Sequence, residues 1–159
     1  VHQADLVVFP ELAVLGYPPD DLLLRRGLPQ KVADGLKRLR QEVSGIGVIV
    51  GYPEYTKNGI FNAADVYLGD KRIARYRKQE LPNYGVFDEE RHFAQGDKPC
   101  AFELAGLTVA GPRLRPSRVQ QMSNPRSKRA KLIVHEGMFG FWWADVELGC
   151  PPGCAGSVR

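Results

Sequence analysis

Apolar positions along the front of the chain follow two periods, and each marks an element. ADLVVF is an unbroken apolar run of the length of a buried strand; Pro10 ends it and leaves Glu11 at the strand's C-terminal edge. After LGYPPDD, the segment LPQKVADGLKRLRQEVS sets Val32, Leu36, Leu39 and Val43 on one helical face with charges on the other. Gly45 closes that helix, and IGVIVGY follows as a second buried strand. FNAADVYLG and RIARYRK alternate about a Gly69-Asp70 turn, which predicts a hairpin, and AFEL and LTVA predict another around Ala105 and Gly106. Strand, helix, strand and then antiparallel hairpins imply an α/β domain with a mixed, helix-covered sheet.

Beyond Val109 the pattern fails. GPRLRPSRVQQMSNPRSKRA has no apolar stripe at either period and is rich in Arg, Ser and Pro, so residues 110–159 are expected to form an aberrant, poorly ordered tail after a domain spanning 1–109. AKLIVHEGMFGFWW is apolar enough for a strand but has no amphipathic logic. Charge breaks at the same place: residues 1–108 hold 14 Lys and Arg against 15 Asp and Glu, and residues 109–159 hold 8 against 3. The net +4 is therefore a property of the tail, which also carries both tryptophans and both methionines.

The remaining composition excludes more than it selects. With 159 residues, 43% of them hydrophobic, the chain can bury one real core. No apolar run approaches the roughly 20 residues of a membrane span and the N-terminus shows no signal-like core, so a cytoplasmic protein without membrane contact is expected. Cys100, Cys150 and Cys154 are too few for a disulfide framework, and CPPGC has no second pair to complete a zinc site, so no metal is expected.

Chemistry gathers in YRKQELPNYGVFDEERHF, residues 76–93. Lys78 there, like Glu11, follows a strand at its C-terminal end, where open α/β sheets present reactive groups. A carboxylate and an ammonium brought together by adjacent strands can act as general base and electrostatic stabiliser for a nucleophile between them. Either residue alone reads as a solvated strand end. Tyr84 reads as turn packing, His92 as structural or solvated, and Asp88, Glu89 and Glu90 as a solvated acidic turn.

FPELAVLGYPPDDLLLR and YRKQELPNYGVFDEERHFAQGD resemble, almost residue for residue, the glutaminase domains of glutamine-dependent NAD synthetases, within the nitrilase or carbon–nitrogen hydrolase superfamily. The likeness covers residues 4 to 109; FPEL says only nitrilase-like, whereas GYPPDDLLLR and LPNYGVFDE point to the synthetase group. It implies an αββα sandwich carrying a Glu, Lys, Cys triad. On that match Glu11 is the general base, Lys78 stabilises the tetrahedral intermediate, Glu89 orients the lysine and Tyr84 sits over the glutamine pocket. Glutamine is the implied substrate, with no cofactor in this domain. The implied partner is an ammonia-accepting synthetase domain that would use ATP and Mg to convert deamido-NAD to NAD. Homo-oligomers are implied as well.

The resemblance breaks where the nucleophile belongs. A strand like GVLICED is expected after AGLTV, but GPRLRP stands there with Leu114 at the cysteine's place, and none of the three cysteines follows a suitable strand. As written, the chain is expected not to hydrolyse glutamine. GPRLRP can be encoded so that reading one base later gives Val-Leu-Val-Cys-Asp, with the cysteine at position 114, and such a shift accounts at once for the lost periodicity and the missing thiol. The family's first strand and helix and its C-terminal half are likewise expected to be missing. Two alternatives stay open: a stand-alone amidase acting on another small amide, and a non-catalytic protein whose SNPRSKRAK stretch touches nucleic acid, which no aromatic interleaving supports.

Overall fold

The computed structural model describes residues 4–85 and 87–104, together with the backbone of strands at 107–110 and 132–134. The strands are β1 (Leu6–Val8), β2 (Gly47–Thr56), β3 (Gly59–Leu68), β4 (Lys71–Arg77), β5 (Ala101–Leu104), β6 (Leu107–Ala110) and β7 (Leu132–Val134), and helix α1 spans Leu28–Glu42. The main sheet has the order β4-β3-β2-β1-β7; β5 and β6 form a separate hairpin. β1 pairs in parallel with both β2 and β7, whereas β2, β3 and β4 form an antiparallel meander. The mixed sheet expected from the pattern is present, with α1 as the crossover between β1 and β2.

Strand alternation divides the core into two layers. Val32 and Leu36 of α1 pack on Val48, Val50, Tyr52, Ala63 and Tyr67, with Leu39 and Val43 partly buried beside them, so the predicted helical face is the one used. Leu6 and Val8 meet Leu104 in a second cluster with Ile49 and Phe102, which places the β5 and β6 hairpin over the sheet face opposite α1. A third cluster, Leu12, Leu23 and Phe93, lies among the loops and ties the segments after β1 and after β4 to each other.

One element extends beyond the sequence reading. β2 continues to Thr56, through Pro53, and turns directly into β3. Pro53 lies beyond Ile49, the last residue paired with β1, so its missing N–H breaks no bond to that strand. β7 lies within AKLIVHEGMFGFWW, and its pairing with β1 places β1 inside the sheet. No helix among the described residues is long and apolar enough to cross a membrane.

Candidate active site

Glu11 and Lys78 do not come from adjacent strands: β1 and β4 are separated by β2 and β3. They meet because the chain after β1 folds over β2. Phe9 N–H donates to the carbonyl of Ile49 at 2.8 Å and Val14 N–H to that of Gly51 at 3.3 Å, so the turn carrying Glu11 lies flat across the strand. Only glycine fits beneath it. A Cβ at Gly51 would stand 2.7 Å from the Leu12 nitrogen, 2.8 Å from the Pro10 oxygen and 3.1 Å from the Glu11 Cα. Leu12 itself has φ 52°, an uncommon left-handed conformation for a branched residue, and its fully buried side chain in the loop cluster holds it there.

Lys78 is fixed from the other side. Its N–H donates to the Asn62 carbonyl on β3 and its own carbonyl accepts from Gly96 N–H, both at 2.8 Å. A Cβ at Gly96 would lie 2.3 Å from the Arg77 oxygen, so here too a glycine lets a returning segment close over the end of a strand.

The side chains converge in a largely buried cluster. Lys78 Nζ donates to Glu11 Oε1 and to Glu89 Oε1, each at 2.8 Å, and the three side chains are only 7%, 10% and 6% exposed. Tyr17 OH donates to Glu89 Oε1 at 3.0 Å, and Asn62 Nδ2 donates to Glu11 Oε1. Two of the ammonium's three hydrogens are thus committed to carboxylates. Glu89 Oε2 and Asn62 Oδ1 are buried with no hydrogen-bond partner among the described residues.

Burial raises the Glu11 carboxyl above its ordinary range; Lys78 and the Asn62 bond act against that rise, and the Glu89 charge adds to it. A carboxylate held so is a stronger base than a solvated one, which suits it to take a proton from a thiol or water. Burial, with Glu89 next, pushes the Tyr17 hydroxyl upward, so it remains a donor to Glu89 at neutral pH.

The structure therefore brings together Glu11, Lys78 and Glu89. Tyr84 stays at the surface, 63% exposed, its ring edge-on to Phe87 at 5.7 Å between centroids. His92 is 4.0 Å from Asp21, beside a 3.7 Å contact between Arg91 and the same carboxylate, and so borders the loops rather than the cluster. Cys100 is buried, with its thiol pushed up to about 11 by burial and then by Asp65, and this keeps it protonated and a poor nucleophile at neutral pH. Leu114, Cys150 and Cys154 lie outside the described residues. Among the described residues, no group of three or more His, Cys, Asp or Glu is placed to hold a metal ion.

Sequence reasoning missed Tyr17 and Asn62, as well as Gly51 and Gly96. For Asn62 a signal existed, a polar residue inside the apolar stretch of β3. It also missed a second ionic cluster on the α1 face. Asp65 accepts from Arg75 at 2.6 and 3.0 Å and from Tyr67 at 2.7 Å, and Glu54 accepts from Arg75 and from Arg77. These bonds fasten the edge strand β4, whose far end delivers Lys78.

The chain is similar in sequence and fold to known proteins. A glutamine-dependent NAD(+) synthetase of Xanthomonas campestris pv. campestris (strain 8004) is 44% identical over 110 residues, which are 67% of this chain and 20% of that protein. One from Thermotoga maritima is 35% identical over 137 residues, 85% of this chain and 23% of the relative. The structure of the glutamine-dependent NAD+ synthetase from Acinetobacter baumannii, in complex with ADP, superposes with a TM-score of 0.64 at 39% identity over 67% of this chain and 20% of that one. The chain thus spans about a fifth of the length of the relatives it matches. The carbon-nitrogen hydrolase family model matches residues 2–132. With the nitrilase-like α/β fold in place and that match covering most of its length, the chain belongs to the carbon-nitrogen hydrolase family.

Proposed function

We propose that the chain is part of the glutaminase domain of a glutamine-dependent NAD synthetase, and that it lacks the nucleophile the reaction needs. The observation that carries this reading is the Lys78 ammonium clasped at 2.8 Å by both Glu11 and Glu89. In the complete domain a cysteine thiol gives its proton to Glu11 as its sulfur attacks the side-chain amide carbon of glutamine. Lys78 stabilises the negative oxygen of the tetrahedral intermediate, Glu89 orients the lysine, and Tyr84 covers the pocket. Glu11 returns the proton to the departing nitrogen, releasing ammonia and leaving a thioester. Water then adds to the thioester while Glu11 takes its proton, and glutamate leaves as the thiol is restored. The ammonia passes to an ATP- and Mg-using synthetase domain that converts deamido-NAD to NAD, in a cytoplasmic homo-oligomer.

Leu114 stands where the cysteine is required, and an aliphatic side chain cannot form the thioester. The test is ammonia release from glutamine by the 159-residue chain, by Leu114→Cys, and by a full-length protein with frame and flanking segments restored. The first two are expected to be silent, because GPRLRP keeps two prolines and two arginines where a central strand is needed. The third is expected to turn over. Robust turnover by the unmodified chain refutes the reading, as does a restored protein that ignores glutamine and cleaves another amide.

A further inference from the structure

Asn62 is the most buried polar group of the cluster after Asp65 of the neighbouring network, at 1% exposure. It lies on β3 between Phe61 and Ala63, both buried and apolar. Its side-chain amide is only half used among the described residues: Nδ2 donates to Glu11 Oε1, while Oδ1 is buried with no partner there. A residue kept only for packing would be apolar here, like its neighbours, and would avoid the cost of that orphaned oxygen. The orientation is dictated by Glu11, since turning the amide over would set Oδ1 against a carboxylate. The main chain of the same residue accepts the Lys78 N–H at 2.8 Å. One residue therefore fixes the backbone of the lysine and the carboxylate of the glutamate.

We propose that Asn62 is a positioning residue for Glu11: its amide and the Lys78 ammonium together hold Oε1, which leaves Oε2 as the oxygen that takes up and releases the proton. The proposal rests on reading Glu11 as the general base. Asn62 also restrains the rise in proton affinity that burial imposes on Glu11, in a setting where the other groups facing that carboxyl are Lys78, Glu89 and Tyr17. Hydrogen bonds to charged groups are strong enough for the loss of this one to tighten proton binding by Glu11 about tenfold.

The experiment is a carboxyl-carbon NMR titration of Glu11 in the 159-residue chain, which needs no nucleophile and no turnover. Asn62→Leu removes the donor at similar size and is expected to move the Glu11 midpoint upward by that tenfold. The near-isosteric Asn62→Asp sets a like charge beside it and is expected to move it further. In the unmodified chain the Asn62 side-chain amide protons should shift with the same midpoint as Glu11, a readout that survives if either variant fails to fold. A Glu11 midpoint unchanged in a folded variant, or an amide signal flat through that titration, overturns the proposal. A restored protein that releases no ammonia would refute the glutaminase reading while leaving this coupling intact, so the two failures are distinguishable.

Discussion

Replacing Gly51 by alanine tests whether the site depends on a turn lying flat against β2. The new Cβ would meet three backbone atoms, at 2.7, 2.8 and 3.1 Å, rather than the movable end of a side chain. Ordinary contact begins near 3.4 Å, so the turn would have to withdraw by about 0.7 Å at the Leu12 nitrogen. That turn is held down by the Val14 bond to Gly51 and by Leu12 in the loop cluster, so it cannot lift freely. Overpacking of this kind costs about 1–3 kcal/mol, which for a chain of this size lowers Tm by roughly 2 to 12 °C. Thermal unfolding followed by circular dichroism measures it. Gly35→Ala in the middle of α1 is the control, because its Cβ would find only the Val14 Cγ1 at 3.4 Å and helix propensity favours alanine by about 1 kcal/mol. That variant is expected to gain stability. A Gly51→Ala protein that melts with the parent, or the two variants shifting in the same direction, refutes the reasoning.

Gly96→Ala, with a Cβ only 2.3 Å from the Arg77 oxygen, is expected to be the more severe glycine change, and denaturant unfolding should show its midpoint below that of Gly51→Ala. Stability should also carry a pH signature of Glu11. Its proton affinity is raised on folding, so the native state binds more protons than the unfolded state just above the ordinary carboxylate range, and stability falls as pH rises through the elevated native value. Glu11→Gln removes that slope; urea titrations of both proteins at stepped pH check it, and an identical slope in the variant would show that Glu11 is not its source.

How far the sequence could be read depended on the range of the interaction. The helical face of α1, the Gly69-Asp70 turn and the β5 and β6 hairpin each rest on residues a few positions apart, and periodicity reports those directly. Glu11 and Lys78 were marked by their places after strands, but their meeting depends on Gly51 and on two intervening strands, which no local pattern encodes. Glu89 reads as part of a solvated acidic turn yet is 6% exposed, because Lys78 on the preceding strand end compensates its charge and the Tyr17 hydroxyl, far away in sequence, donates to it. Only the family resemblance singled it out. The second strand runs on past IGVIVGY to Thr56 because the short β1 makes no demand on that half of it, a fact no local pattern reports.

The length of β1 has a consequence for the order of assembly. The meander β2, β3 and β4 closes through two tight turns, whereas β1 is three residues long and lies between a strand beginning at residue 47 and one beginning at residue 132. Loop closure delays contacts of long sequence separation, so the meander should form early and present Lys78 on a standing edge, while the segment bearing Glu11 docks late. Pulse-labelled amide exchange during refolding would read this as protection of β3 and β4 before Phe9 and Val14, whose amides bond to Ile49 and Gly51. Simultaneous protection would exclude that order. On this sequence of events the last step of folding is the one that brings Glu11 to Lys78, so a chain caught short of it keeps its sheet while the two charges stay apart.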